Sequence, residues 1–147
     1  MIYLASDHAG FDRKEMIKKY LTDQDVEVKD FGAAKMDPED DYPDFAHPLA
    51  EAVATDNVRG IVFCGNAQGV CIVANKVDGV RAAVGYDIFA AETSREDDNT
   101  NVLCIPGRDL SDELVKEIVD TWLATEFTGE ERHKRRLDKV SKIEEGN

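Results

Sequence analysis

The chain has 147 residues, enough for one domain with a proper core and too few for two comfortable ones. Its composition, 42% hydrophobic and 33% charged, is that of an ordinary globular protein, and no apolar run approaches the roughly 20 residues that span a bilayer. A formal net charge of −13 argues against nucleic acid as a partner, because most of the surface would repel a polyanion.

The segment MIYLASDHAG has neither the basic region nor the long apolar stretch of a signal peptide, so a cytoplasmic protein is expected. IYLAS (2–6) predicts the first strand. Phe11, Ile17, Tyr20 and Leu21 then approximate an apolar helical face over 11–22. VEVKDF (26–31) reads as the second strand and the acidic PEDD (38–41) as a loop. Pro43 suits the first turn of a helix, in which Ala46, Leu49, Ala50, Val53 and Ala54 recur at spacings of three and four. GIVFC (60–64), VRAAVG (80–85) and NVLCI (101–105) predict three more strands, separated by helical stretches at 69–76 and 87–96. Helices over 110–125 and about 129–145 follow, the last marked by Leu137, Val140 and Ile143, with the tail SKIEEGN expected to fray. Strands alternating with helices imply βαβ units. The expected architecture is α/β, a doubly wound (Rossmann-like) three-layer sandwich with a five-stranded parallel sheet, in a single domain over 1–147.

In such sheets a ligand sits outside the carboxyl ends of the strands, near a topological switch point. That rule selects the loops SDHAG, DPEDDYPD, CGNAQGV, GYD and PGRD, which hold most of the unusual residues. Asp7 and His8 follow the first strand, before Gly10. They are ligand candidates as a pair, although a lone residue of either type there is more often a structural group. Asp41 and Tyr42 precede Pro43 and are either site residues or helix caps. Cys64 ends the third strand. A buried cysteine usually behaves as a small hydrophobe, but here a helix begins within a few residues. Amides at a helix start favour a thiolate and can receive an anion. Cys64, Cys71 and Cys104 are odd in number and lack metal-type spacing, so neither a disulfide framework nor a zinc site is expected. RHKRR (132–136) is the one strong concentration of positive charge, read either as a solvated face or as an anchor for an anionic ligand.

SDHAGF, DYPD, the CG-x-x-x-G-V loop followed by ANK, GVRAA, SRE with NTNVL, GR (107–108) and the closing RH-x-x-R occur in that order over nearly the whole chain. Together they resemble the type B ribose-5-phosphate isomerases and the related galactose-6-phosphate isomerases. The resemblance implies aldose–ketose isomerisation of a small phosphorylated sugar with no metal or cofactor. Cys64 matches the base of the cysteine-containing branch. The other branch uses a glutamate six positions later, where this chain has Val70. The backbone of Gly65 to Val70, Ala67 and Gly69 included, would cradle the enediolate oxygens. Asp7 would bind sugar hydroxyls, Tyr42 would line the pocket and His8 would approach the phosphate. Arg108, Arg132 and Arg136 match the family's phosphate-side arginines, and an offset of four puts the last two on one helix face. The resemblance also implies a homodimer or tetramer, with the SRE-region loop donated across the interface.

Two departures stand out. The family loop reads C-G-T/S-G-x-G, whereas this one reads Cys64-Gly65-Asn66-Ala67-Gln68-Gly69. An amide replaces the hydroxyl that assists ring opening, and Ala67 is expected to resist positive φ and to place a methyl near the ligand. Asp97-Asp98 stand where the family has His-Asn, so Asp97 is the candidate acid–base group for ring opening and Asp98 a substrate contact. The alternative is that both only cap a turn. A hexose 6-phosphate isomerase and a non-catalytic sugar-phosphate binder are the competing readings. A signalling receiver domain fails, because it needs an aspartate where Cys64 stands and a lysine in the Pro106-Gly107-Arg108 run.

Overall fold

Every residue of the first strand, Ile2–Ser6 (β1), is buried, and alternate side chains enter different cores. Tyr3 and Ala5 point into one and Ile2 and Leu4 into the other, the pattern of a strand covered on both faces. The structure, a computed structural model, describes residues 1–146. It contains four more strands: Val28–Asp30 (β2), Arg59–Cys64 (β3), Ala82–Val84 (β4) and Val102–Pro106 (β5). All pair in parallel, in the order β2-β1-β3-β5-β4, with Ser6 beside Phe63 and Cys64 beside Pro106.

The helices are Phe11–Thr22 (α1), Pro43–Asp56 (α2), Gln68–Ala74 (α3), Ile88–Asp98 (α4), Asp112–Ala124 (α5) and Glu131–Glu145 (α6). On one face Leu49, Ala50 and Val53 of α2 and Val70 and Ala74 of α3 pack on Tyr3, Val62 and Cys104. On the other, Ile17 of α1, Ala91 of α4 and Ile118 and Trp122 of α5 cover Leu4, Phe63, Leu103 and Ile105. This is the expected three-layer α/β sandwich. Local chemistry sets the helix starts. Asp87 accepts from the Ala90 amide at 2.7 Å, Ser111 accepts from Leu114 at 3.1 Å, and Pro43 occupies the first turn of α2.

The differences from expectation have physical causes. β4 is a short edge strand. The side chain of Asn75 bonds both backbone groups of Ala82, its Oδ1 accepting at 2.8 Å and its Nδ2 donating at 2.9 Å, which blunts the edge. Ala54 is exposed and Tyr20 only half-buried, so the α2 and α1 stripes are narrower than read. α4 runs two residues beyond 96, to Asp98, and stops at Asn99, which takes a left-handed conformation at φ 47°. The SRE segment (94–96) lies in this helix, as the reading of 87–96 expected, and not in the loop that the resemblance implied. Its Arg95 is a buried clamp on the carbonyls of Thr125 and Thr100, and burial, with Arg59 nearby, lowers its pKa to about 10. Residues 141–145 are helical although the tail was expected to fray, and Asn147 lies outside the described residues. Among the described residues no helix is long and apolar enough to cross a membrane.

Two directional consequences position the site. The chain leaves β1 on one side to form β2 and returns on the other to form β3, so the switch point lies between the carboxyl ends of β1 and β3. α4 carries the chain from the carboxyl end of β4 back to the amino end of β5, so its last turn sits at the opposite edge of the sheet.

Candidate active site

At that switch point the loops after β1, β2, β3 and β5 enclose a cleft of about 260 Å3. Asp7 ends the β1 side, buried, and its Oδ1 accepts from the Gly10 amide at 3.1 Å, which fixes the 3₁₀ turn His8–Gly10. His8 lines the cleft half-buried. Its backbone amide donates to Asp40 Oδ1 at 2.9 Å and its ring Nδ1 lies 2.7 Å from the same oxygen. The Asp40 hydrogen bond raises the His8 pKa above that of an ordinary imidazole. Burial opposes the rise, the charges of Asp7 and Asp40 reinforce it, and Arg108 opposes it.

Cys64, the last residue of β3, is a buried free thiol at the cleft wall. The residue after it is glycine, and any side chain there would displace Arg108. A Cβ on Gly65 would lie 2.9 Å from Arg108 Nη1, because the guanidinium crosses directly over that backbone. A Cβ on Gly69 would likewise meet the ring of Tyr42 at 2.6 Å and push it out of its place in the cleft. Tyr42 stands at the cap of α2 without a side-chain capping bond, so its ring is committed to the cleft and not to the helix.

The loop between them corrects two expectations. Ala67 adopts φ 67° despite its Cβ, a conformation that costs an L-residue roughly 1–2 kcal/mol. Its methyl is fully buried in the α2–α3 core and does not line the cleft. Val70 is likewise core, so both residues can offer only backbone amides. The Gln68 amide is already taken, bonded at 3.1 Å by Asn66 Oδ1. That bond turns the Asn66 carbonyl oxygen toward the helix start and leaves its NH2 as the group able to donate into the cleft, which Asn66 lines.

Asp97, Asp98, Arg132 and Arg136 do not join this cleft. They cluster where α4 ends and α6 begins, at the amino edge of the sheet. Asp97 Oδ1 lies 3.4 Å from Nε2 of the buried His133, and Arg132 Nη1 lies 2.7 Å from Glu130 Oε2. Asp98 lines a separate groove with Leu137, Val140 and Ile143, and Arg136 is exposed. The expected residues thus fall into two half-sites on opposite edges of one chain.

Asp40 and His133 were not singled out as site residues from sequence. Asp40 read as part of an acidic loop, and His133 was absorbed into the basic run. The signal for both is the same, a carboxylate and an imidazole whose pairing only tertiary structure creates. The Ser94 and Thr100 hydroxyls, 3.0 Å apart, and the Trp122 Nε1 bond to Thr100 at 2.9 Å show that part of the SRE–NTNVL pattern is architectural.

In chemical terms the cleft offers a thiol, a buried carboxylate, two basic side chains and the side-chain amide of Asn66. A family model described as Ribose/Galactose Isomerase matches residues 2–140. The chain is 39% identical to the ribose-5-phosphate isomerase B of Escherichia coli (strain K12), over 98% of this chain and 96% of that one. It is also 39% identical to the D-erythrulose-4-phosphate isomerase of Pectobacterium atrosepticum, over 87% and 85%. The structure superimposes on the ribose-5-phosphate isomerase B of Mycoplasma genitalium with bound ribulose-5-phosphate at a TM-score of 0.95, with 40% identity and coverage of 99% and 97%. Fold, motif order and full-length similarity agree, and the chain belongs to the ribose/galactose isomerase family.

Proposed function

We propose that the protein interconverts ribose 5-phosphate and ribulose 5-phosphate through an enediolate. Ring opening comes first: the Asp97 carboxyl gives its proton to the ring oxygen and recovers one from the C1 hydroxyl, which leaves an open-chain aldehyde. The Cys64 thiolate then takes the proton from C2, and the C2–H bonding pair forms the C1–C2 double bond as the carbonyl electrons move onto O1. Amides of the 65–70 loop and the Asn66 NH2 stabilise the resulting oxyanion. The proton returns from Cys64 to C1 while the C2 hydroxyl proton passes to O1, which restores the C1 hydroxyl as the C2 carbonyl of the ketose forms. Asp7 and Asp98 hold sugar hydroxyls, and His8, Arg108, Arg132 and Arg136 hold the phosphate. No redox partner is needed, because the substrate oxidises one carbon as it reduces the other.

The observation that carries this reading is the position of Cys64. It is a free thiol at the carboxyl-edge switch point, flanked by His8 and Arg108 in a chain of net charge −13. His8 and Arg108 supply the donors that a substrate phosphate requires, beside the carboxylates of Asp7 and Asp40.

A second copy of the chain completes the site. The half-site holding Asp97, Asp98, Arg132 and Arg136 faces away from its own Cys64 cleft, and large apolar side chains are left exposed on the β4 side. Phe89 is 72% exposed and Ile143 67%. A homodimer that covers them and brings one copy's α4–α6 end to the other's cleft satisfies both facts. The three free thiols suit the reducing cytoplasm.

Incubation with ribose 5-phosphate in deuterated water tests the reaction. Deuterium appearing at the transferred position with ketose formation is expected, and both should vanish in Cys64→Ser. Binding without exchange would leave the chain a sugar-phosphate binder, and exchange only with a hexose 6-phosphate would reassign the substrate.

A further inference from the structure

Asp40 has an unusual set of partners. Its side chain is 10% exposed, and Oδ1 receives both the backbone amide of His8 and its ring Nδ1. Oδ2 is buried and has no hydrogen-bond partner among the described residues, and no lysine or arginine pairs with this carboxylate. A carboxylate so placed has its negative charge balanced only through His8. Asp7 adds a second carboxylate, since ligating atoms of Asp7, His8 and Asp40 all lie within 4.8 Å of one another.

We propose that Asp40 is a positioning residue for the reaction: it locks the His8 ring so that Nδ1 donates to the carboxylate and Nε2–H is presented to the substrate phosphate. The proposal rests on reading the cleft as a sugar-phosphate site. Two bonds from one oxygen, one to backbone and one to ring, fix the loop and the imidazole together. An Nδ1 held against a carboxylate oxygen carries a proton, and in the imidazolium that this carboxylate favours Nε2 carries one as well. His8 lines the cleft, so Nε2 is the ring nitrogen left for a ligand. The groups facing this imidazole are Asp7 on its own loop, Asp40 from the β2–α2 loop and Arg108 after β5, with Tyr42 and Cys64 along the same wall. The carboxylates outweigh Arg108, and the His8 pKa is raised accordingly. His8 therefore keeps its charge to higher pH than a free imidazole, and its bond to the phosphate is lost as pH rises through that raised value.

The test is 15N NMR of histidine-labelled protein, in which the three imidazoles are His8, His47 and His133. In the wild type the His8 signal should show protonated Nδ1, a titration midpoint above that of free imidazole, and a shift on adding ribose 5-phosphate. Asp40→Asn keeps an acceptor oxygen but removes the charge, and should lower the midpoint. It should also raise KM for ribose 5-phosphate about tenfold, the value of one charge-assisted hydrogen bond, with a much smaller change in kcat. Unchanged His47 and His133 titrations report that the variant is folded. A His8 titration identical in Asp40→Asn and wild type overturns the positioning role. A wild-type His8 signal indifferent to ribose 5-phosphate instead overturns the substrate reading on which the role depends.

Discussion

Cys64 and Asp97 stand at opposite edges of the same sheet: Cys64 closes β3 at the carboxyl edge, and Asp97 lies in the last turn of α4, which has returned to the amino edge. One chain cannot bring the proposed base to the proposed ring-opening acid. The division is imposed by βαβ connectivity, since every helix after a parallel strand must run back along the sheet. The catalytic account is therefore also an account of assembly.

The base itself is tested by Cys64→Ser. A serine hydroxyl fits the same space but is a far weaker acid than a thiol, so it supplies almost no anion at neutral pH. Isomerisation should fall by at least about 10²-fold, the scale of losing a general base, while affinity for the sugar phosphate stays within a few-fold. Kinetics paired with titration calorimetry read the two separately. Turnover within threefold of wild type would remove Cys64 from the mechanism.

Arg136 is exposed within one chain, on the same α6 face as Arg132, which is itself held 2.7 Å from Glu130. If Arg136 anchors the phosphate in a neighbouring cleft, Arg136→Ala should raise KM by about 10- to 100-fold, the value of a hydrogen bond between charged groups. Arg135, one residue away and also exposed, projects from a different part of the helix. Arg135→Ala is the control and should leave KM near wild type. Equal effects from the two would reduce the basic run to a diffuse field.

Stability is most vulnerable at Lys14, fully buried with its Nζ bonded to Ala33 O at 2.6 Å and to both Asp30 oxygens, at 2.9 and 3.0 Å. Burial alone would raise the Asp30 carboxyl. Hydrogen bonds from Lys14, the Gly32 amide and Lys18 outweigh it and hold the pKa below the usual carboxylate value. A depressed carboxylate contributes stability at pH above its unfolded pKa of about 3.9, and that contribution is lost as pH falls through the folded value. Asp30→Ala leaves the buried Lys14 charge with only the 3.4 Å contact to the half-exposed Glu15, and should cost about 3 kcal/mol at neutral pH in urea denaturation. Lys14→Met should cost less, because Asp30 keeps Lys18. Asp30→Ala should also flatten the loss of stability on acidification.

Much of this was legible in the sequence because the fold's periodicities are strong. β1 has the predicted boundaries, and α2 starts where Pro43 puts it. Cys64, Gly65 and Gly69 could be placed because strand ends and tight backbone approaches have residue signatures. Ala67 was misjudged because its conformation is decided by a buried methyl packing in the core, which outweighs its reluctance toward positive φ. Asp40 and His133 went unread because each acquires meaning only from a partner 32 or 36 residues away, His8 and Asp97, and chain separation of that size leaves no local pattern. The separation of Asp97 from Cys64 was implied by family resemblance but follows physically only from the course of α4.

Subunit complementation tests the shared site most directly. Cys64→Ser and Asp97→Asn should each be inactive alone. Unfolded together and refolded at equal amounts, they should form about half heterodimers, each with one site that draws its thiol and its carboxylate from different chains and keeps both intact. Recovery of about one quarter of wild-type activity is the predicted result. If the refolded mixture stays as inactive as either variant alone while heterodimers are demonstrably present, the two residues do not serve a common site across the interface, and the central claim is contradicted.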